Sequence, residues 1–200
     1  MAGHFEPLPG GGAAVALDEV EVSILRSLAV QLLELIGPGE TEGPEAADPL
    51  ARLFAEGPSE PPADPALARL FPDAYGSPGA EQDERERAYA SEFRRYTEND
   101  LRDRKRGDAL GMVRSLDGLS LVGGDDEEAV LRLSPDECRQ WLGALNDLRL
   151  TIGARLEVTD EDQGEALYRL PDEDPRKPMV MAYLWLGGLQ ETLVESLMGG

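Results

Sequence analysis

Ser134-Pro-Asp-Glu-Cys-Arg-Gln-Trp-Leu-Gly-Ala-Leu-Asn-Asp-Leu-Arg-Leu150 carries the clearest helix signal of this 200-residue chain. Ser134 is a preferred N-cap residue, Pro135 suits the first helical position, and Glu137 completes a capping-box pattern. Apolar residues follow at helical spacing and predict a helix to about residue 157: Cys138, Trp141, Leu142, Leu145, Leu148, Ile152 and Leu156. We therefore predict a core helix whose apolar face includes the only cysteine of the chain.

Two short strands and a further capped helix are predicted around this segment. Residues 13–17 and 129–133 have strand character, and we expect them to pair into a small two-stranded β element. Asp18 is the predicted N-cap of a helix, with Glu21 in the capping-box position. Its apolar residues recur at helical spacing until Gly37, where the helix should end.

Two more helices complete a mainly α fold. Residues 81–116 are densely charged and helix-prone, with a break expected near Gly107, and the last helix should span about 178–198. The last helix is apolar around much of its circumference, so we expect it to lie centrally in the core or against a second subunit. The predicted fold class is a helical domain of about four to five helices with the small β element and a long flexible segment.

Residues 37–80 differ from the rest, with nine Pro and six Gly in 44 positions. We therefore divide the chain into 1–36 (strand and first core helix), 37–80 (a flexible Pro/Gly-rich segment with short helical turns) and 81–200 (the remainder of the same domain). Inside the flexible segment, Asp48-Pro-Leu-Ala-Arg-Leu-Phe54 is echoed by Asp64-Pro-Ala-Leu-Ala-Arg-Leu-Phe71.

This echo has two interpretations. The copies are docking elements that offer Leu53 and Phe54, and Leu70 and Phe71, to a groove of a partner. Alternatively, one copy packs on the domain and the other is a loop that resembles it only in sequence. Two copies are too few for a repeat architecture.

The formal charge of −21 limits the classes of partner. Such a surface repels phosphate backbones, so direct nucleic-acid binding is disfavoured. No apolar stretch reaches the ~18 residues of a membrane span, and the N-terminus lacks a signal-peptide pattern. A single cysteine fits a reducing compartment, so a cytoplasmic location is predicted.

Catalytic and cofactor signals are weak. His4 is the only histidine, which argues against Ser-His or Cys-His nucleophiles and imidazole-bound zinc. The acidic run 160–162 fails the calcium-loop template because Gly164 falls at the wrong position. No glycine pattern suggests a nucleotide cradle. We predict no enzyme activity, no metal and no cofactor.

A cluster of basic residues follows in the long charged segment. Residues 81–106 hold eight acids and eight bases, so this part is neutral within an acidic chain. Arg94, Arg95, Arg102 and Arg106 are candidate contacts for an acidic partner protein. The alternative is a solvated helix face on which arginines pair with neighbouring acids such as Glu98.

Cys138 is the one candidate redox residue. Its place in the first turns of a helix lowers a thiol pKa, whereas Asp136 and Glu137 beside it disfavour the thiolate. Its alignment with Trp141 and Leu145 suggests a buried, inert thiol instead.

Several stretches together resemble an actinobacterial family of unknown function that includes an oxidation-sensing mycobacterial regulator. They are the opening strand and Glu-rich helix, Asp64-Pro-Ala-Leu-Ala-Arg-Leu-Phe-Pro-Asp-Ala-Tyr75, Ala90-Ser-Glu-Phe-Arg-Arg-Tyr-Thr-Glu98, and Ser134 to Leu150. The resemblance implies a non-enzymatic cytoplasmic protein that modulates transcription of cysteine-biosynthesis genes through an extracytoplasmic-function sigma factor.

The resemblance also marks a departure. Sensing in the mycobacterial regulator is attributed to two cysteines spaced C-x-x-x-C, whereas Ser134 and Leu142 stand four residues either side of Cys138. An intramolecular disulfide is therefore excluded, and a redox response would need an intermolecular disulfide or a capped thiol. We expect a regulatory interaction protein, with a structural or adaptor homodimer built on the last helix as the alternative.

Overall fold

The computed structural model describes residues 3–38, 57–76, 83–120, 129–158, 167 and 169–199. Within these ranges the chain forms three strands, β1 (Glu6–Pro7), β2 (Ala13–Leu17) and β3 (Ala129–Leu133), and five helices, α1 (Glu19–Ile36), α2 (Pro65–Leu70), α3 (Glu84–Ser120), α4 (Pro135–Arg155) and α5 (Lys177–Met198). The predicted mainly α class with a small β element is confirmed.

Helices α1 and α4 begin at the two capping boxes that the sequence predicts. The backbone N–H of Glu21 donates to Asp18 Oδ1 at 2.8 Å, and the Glu21 carboxylate accepts from the Asp18 N–H at 3.0 Å. At α4 the Glu137 carboxylate accepts from the Ser134 N–H at 2.8 Å, with Pro135 at the first turn. Each box satisfies backbone donors that a helix start otherwise leaves unpaired.

The two predicted strands pair, and a third joins them. Strand β2 lies in the centre and runs antiparallel to β3, with Ala13 opposite Leu133 and Leu17 opposite Ala129. On its other side β2 pairs with β1, whose two residues are too few to show a periodicity. The expectation of two strands therefore undercounts the sheet by one short edge strand.

Helix α4 lies at the centre of the helical layer and contacts α1, α2, α3 and α5. Trp141 is fully buried on it, and its indole meets the ring of Phe5 edge-to-face at a centroid distance of 5.9 Å. The largest fully buried side chains come from β2, β3 and every helix: Leu17, Leu25, Leu32, Leu70, Met112, Leu116, Leu133, Leu145, Leu186 and Leu189. One core thus joins the sheet to all five helices of the described ranges.

The predicted break at Gly107 is wrong, because α3 runs unbroken from Glu84 to Ser120. Gly107 is exposed, and its missing side chain faces open space. A glycine in a helix interior costs only about 1 kcal/mol. Burial of Glu98 before this position and of Ala109 and Met112 after it anchors the helix on both sides.

Residues 57–76 belong to the packed structure, although they fall inside the predicted flexible segment. Asp64 caps α2 by accepting from the N–H groups of Ala66 and Leu67 at 2.8 and 3.0 Å. The helix then packs on α4. This outcome matches the interpretation in which one copy of the echo packs on the domain; the other copy, at 48–54, lies outside the described residues.

Candidate functional site

Cys138 is completely buried between α4 and the sheet. Its thiol donates to the carbonyl oxygen of Leu133 with an Sγ–O distance of 3.9 Å. Burial raises the pKa of Cys138, and the negative charge of Glu137 acts in the same direction, against the N–H of Ala13. The structure thus places the candidate redox residue out of reach of solvent and holds it as the neutral thiol at pH 7.

Arg94 lies inside the protein, with only 4% of its surface exposed. It donates to the carbonyl oxygen of Phe71 at 3.0 Å and to Asp73 Oδ1 at 2.9 Å, and it pairs with the buried carboxylate of Glu98. A buried cation needs such partners because its desolvation is expensive. Arg94 is therefore an anchor for the segment after α2 rather than an exposed partner contact.

Arg102 and Arg106 are directed at the end of α1. Arg102 donates to the carbonyl oxygen of Ile36 at 2.7 Å and grips Glu98 Oε1 with two nitrogens at 2.7 and 2.9 Å. Arg106 donates to the carbonyl oxygens of Leu33 and Gly37. The last turn of α1 contains no basic residue of its own, so α3 supplies the cations that its carbonyl end favours.

Three of the four arginines that were predicted as contacts for an acidic partner therefore bind groups of the protein itself. They are Arg94, Arg102 and Arg106. The alternative prediction, in which arginines pair with acids along the same helix, accounts for only some of these contacts. Arg95 is half-buried, and its guanidinium lies 5.3 Å from the centroid of the Tyr96 ring and donates to the Tyr96 hydroxyl at 3.3 Å.

The apolar pair that was predicted as a docking contact is also corrected. Leu70 and Phe71 are 2% and 1% exposed and belong to the core, so neither is presented to a partner. The driving force is burial of two large apolar side chains at the end of α2. Leu53 and Phe54, their counterparts in the first copy, lie outside the described residues.

Four aromatic side chains are exposed on the first half of α3 and on the segment after α2, and the sequence did not mark them as a site. Tyr75, Tyr89, Phe93 and Tyr96 are 45%, 51%, 46% and 63% exposed. The ring of Tyr75 lies 5.9 Å from that of Tyr89 and 6.0 Å from that of Phe93. We call these four residues the aromatic surface.

The buried arginine positions this surface. Arg94 holds Asp73, and Tyr75 follows two residues later to meet Tyr89 and Phe93 on the first half of α3. A small cleft of about 50 Å³ lies between Phe93 and the 71–74 backbone. A sequence signal for the site did exist, because positions 89, 93 and 96 share one helix face, but it is equally typical of core residues.

A second surface feature lies between α4 and α5. An open groove of about 570 Å³ is lined by Arg149, Tyr183, Leu184, Gly187, Gly188, Gln190, Glu191, Val194 and Glu195. The Arg149 guanidinium donates to Gln190 Oε1 at 2.6 Å and lies 5.2 Å from the centroid of the Tyr183 ring. Only one face of α5 enters the core, through Val180, Leu186, Leu189 and Leu193.

Two further kinds of site find no support in the described part of the chain. Among those residues no group of three or more His, Cys, Asp or Glu side chains is arranged to hold a metal ion. The helices of the described ranges include none that is both long and apolar enough to cross a membrane.

Comparisons with known proteins agree with the resemblance seen in the sequence. Residues 2–197 match the family described as a domain of unknown function, DUF2017. The chain is 31% identical over 186 residues to the oxidative stress regulators AosR of Mycobacterium tuberculosis and Mycobacterium bovis, which covers 90% of this chain and 79% of each relative. No solved structure matches the chain. With almost its whole length matched, the chain belongs to the DUF2017 family.

Proposed function

We propose that this chain is a non-enzymatic regulator of the oxidative-stress response that acts by binding another protein. Relatives that cover 90% of the chain are named as oxidative stress regulators. The observation that carries the binding part of the proposal is the aromatic surface formed by Tyr75, Tyr89, Phe93 and Tyr96.

The chemistry of this surface favours a protein partner. Tyr, Phe and Arg are enriched in protein interfaces because they bury large areas at low entropic cost, and Arg95 adjoins Tyr96 here. Water-exposed aromatic rings that touch one another form a patch whose burial is favourable. A helix of 37 residues holds three of the four rings, so the surface is preorganised.

The partner class follows from charge and resemblance together. A chain with a net charge of −21 is repelled by DNA, so a transcriptional effect requires a second protein that binds DNA. The family resemblance names an extracytoplasmic-function sigma factor for that role, in the cytoplasm. We propose such a sigma factor as the partner of the aromatic surface.

Oxidant sensing by Cys138 is not part of the proposal. The thiol is buried, its pKa is raised by burial, and the chain contains no second cysteine. We propose that Cys138 is a core residue and that the partner or another protein supplies the redox input.

A paired substitution tests the proposal. Tyr89→Ser with Phe93→Ser removes two exposed rings without opening the core, while Val20→Ser with Ile24→Ser removes comparable exposed apolar groups from α1. Purified recombinant sigma factors from the same genome are tested for binding to each variant by biolayer interferometry. We expect loss of binding only for the α3 pair; equal binding by wild type and the α3 pair would overturn the aromatic surface as the site.

The second candidate function is a structural or adaptor homodimer without a regulatory role. The observations that favour it are the open groove along α5 and the exposure of Met181, 54%, on the same helix. Met181→Glu places a charge on this helix without touching the core. A dimeric mass of the wild type that falls to a monomer in Met181→Glu would support the homodimer, and a monomeric wild type would exclude it.

A further inference from the structure

The two copies of the repeated motif in the Pro/Gly-rich segment share more than a pattern of residue types. Leu50-Ala-Arg-Leu-Phe54 and Leu67-Ala-Arg-Leu-Phe71 are identical pentapeptides, and each is followed two residues later by an acid, Glu56 or Asp73. The structure shows what each position of the second copy contributes.

In the second copy the repeated Leu and Phe residues and the acid make contacts, whereas Arg69 is exposed. Leu70 and Phe71 are buried, and Leu67 packs partly buried against the core. The carbonyl oxygen of Phe71 accepts from Arg94 at 3.0 Å, and the acid at position 73 pairs with the same guanidinium at 2.9 Å. Arg102 covers the ring of Phe71 at 4.3 Å. We call the surface of α3 and α4 that receives these groups the α2 seat.

We propose that the α2 seat accepts either copy, so that residues 50–56 of the same chain compete with α2 for it. The first copy offers the same Leu and Phe side chains, the same backbone carbonyl and an acid at the position that Arg94 requires. No other residue of the seat has to change to receive it.

The chain geometry permits the exchange. Arg102 contacts both the Ile36 carbonyl oxygen at 2.7 Å and the Phe71 ring at 4.3 Å, so the end of α1 lies beside the seat. The roughly 13 residues between Ile36 and Leu50 span up to about 40 Å, far more than this separation requires. Either arrangement divides the connection from α1 to α3 into one loop of about 13 residues and one of about 30, so loop closure favours neither.

Helix capping explains why the second copy holds the seat. Asp64 caps α2 from three residues before Leu67, and Ala66 between them is buried. In the first copy Asp48 stands two residues before Leu50, one residue closer than Asp64 stands to Leu67, and Pro49 takes the position of the buried alanine. An N-cap that is one residue out of register with the seat, together with the missing alanine, makes residues 50–56 the weaker occupant.

The exchange has a consequence for the surface described above. Tyr75 reaches Tyr89 and Phe93 only because Arg94 holds the segment that follows α2. When the first copy takes the seat, that segment is released and Tyr75 leaves the aromatic surface. The exchange itself rests on the repeated sequence and the seat, and it does not depend on the proposed function.

A double-substitution cycle in the full-length chain tests the proposal. If the first copy replaces a weakened α2, Phe71→Ala lowers Tm by only about 5 °C, and Phe54→Ala alone lowers it by less than about 1 °C. The double variant should fall at least about 3 °C below the sum of the two. Additive effects would overturn the proposal, as would a coupling that appears only in a dimeric species.

Two further measurements keep the result interpretable. Phe54→Ala combined with Leu25→Ala, a core truncation in α1, must be additive, because Leu25 lies outside the repeated motif. If the double variant does not fold, a fluorescein-labelled peptide of residues 47–58 is titrated into that double variant, in which neither copy of the chain can fill the seat, and recovery of helix is followed by circular dichroism. Saturable binding that a Phe54→Ala peptide lacks supports the exchange, and equal behaviour of the two peptides overturns it.

Discussion

The guanidinium of Arg102 lies 4.3 Å from the centre of the Phe71 ring while it donates a 2.7 Å hydrogen bond to the carbonyl oxygen of Ile36. One side chain of α3 thereby contacts the end of α1 and the end of α2. It also binds Glu98 through two nitrogens. This arrangement depends on the planar, five-donor shape of arginine, which lysine cannot reproduce.

We therefore expect Arg102→Lys to destabilise the protein although it keeps the charge. The ammonium group cannot stack on Phe71 and bind both Ile36 and Glu98, so the free energy of unfolding should fall by about 1–3 kcal/mol. Urea denaturation measures the change. Arg104→Lys, at an exposed position on the same helix, is the matched control and should have little effect. Equal stability of the two variants would contradict the role of Arg102.

Glu98 is the buried acid between two arginines, and its neutralisation should be costly. Glu98→Gln leaves Arg94 with Asp73 as its acidic partner and removes the charge that Arg102 grips. Removing one member of a buried ion network costs about 3–5 kcal/mol, because the remaining charges stay desolvated. Chemical denaturation at pH 7 measures the loss, and the exposed Asp100→Asn on the same helix serves as the control. A loss no larger than that of the control would show that Glu98 is not needed to balance these arginines.

Cys138 should behave as a core thiol toward alkylating reagents. Because its pKa is raised by burial and its side chain is 0% exposed, labelling by iodoacetamide should require local opening of the structure. Cys138→Ala with Arg139→Cys moves the thiol to the neighbouring exposed position of the same helix. We expect labelling of the wild type to be at least about 100-fold slower than labelling of this variant. Similar rates would restore Cys138 as a candidate sensor.

Local signals predicted the helices and their starts. Asp18 and Ser134 carry capping boxes whose partners stand three residues along the chain, so no tertiary information is needed to place these helix starts. The strand pair was also accessible, because residues 129–133 alternate as a strand does and residues 13–17 form a short apolar run after three glycines. The two-residue strand β1 exists only through its pairing with β2, which no local pattern reveals.

The candidate site was not predictable in the same way. Phe93 and Arg94 are neighbours on α3, and average hydrophobicity assigns the phenyl ring to the core and the arginine to solvent. The structure has the reverse order, since Phe93 is 46% exposed and Arg94 is 4% exposed. The reason is tertiary: the Phe71 carbonyl oxygen and the Asp73 and Glu98 carboxylates all need a donor at this position.

A pH-dependent prediction concerns Asp108, whose pKa is raised by burial and, secondarily, by the carboxylate of Asp147. A carboxyl group with a raised pKa in the folded state stabilises the fold below its unfolded pKa, and this contribution is lost as the pH rises through the folded value. The ionised group is therefore unfavourable at pH 7, and Asp108→Asn should raise Tm at that pH. The gain should shrink as the pH approaches 4. A gain that is independent of pH would refute the electrostatic cause.

The turn between β1 and β2 yields a prediction with an internal control, because Gly10 and Gly12 have nearly the same backbone conformation, with φ of +88° and +89°. A side chain is strained at both positions, at a cost of roughly 1–2 kcal/mol. At Gly10 the added Cβ meets open space, whereas at Gly12 it collides with the carbonyl oxygen of Leu133 on β3. We expect Gly10→Ala to lower the free energy of unfolding, measured by chemical denaturation, only by the cost of this backbone strain. Gly12→Ala should lose clearly more, because β3 must move away from β2 and Leu133 also accepts from the Cys138 thiol. Equal losses of stability in the two variants would mean that β3 can move away from the added Cβ without a cost in free energy.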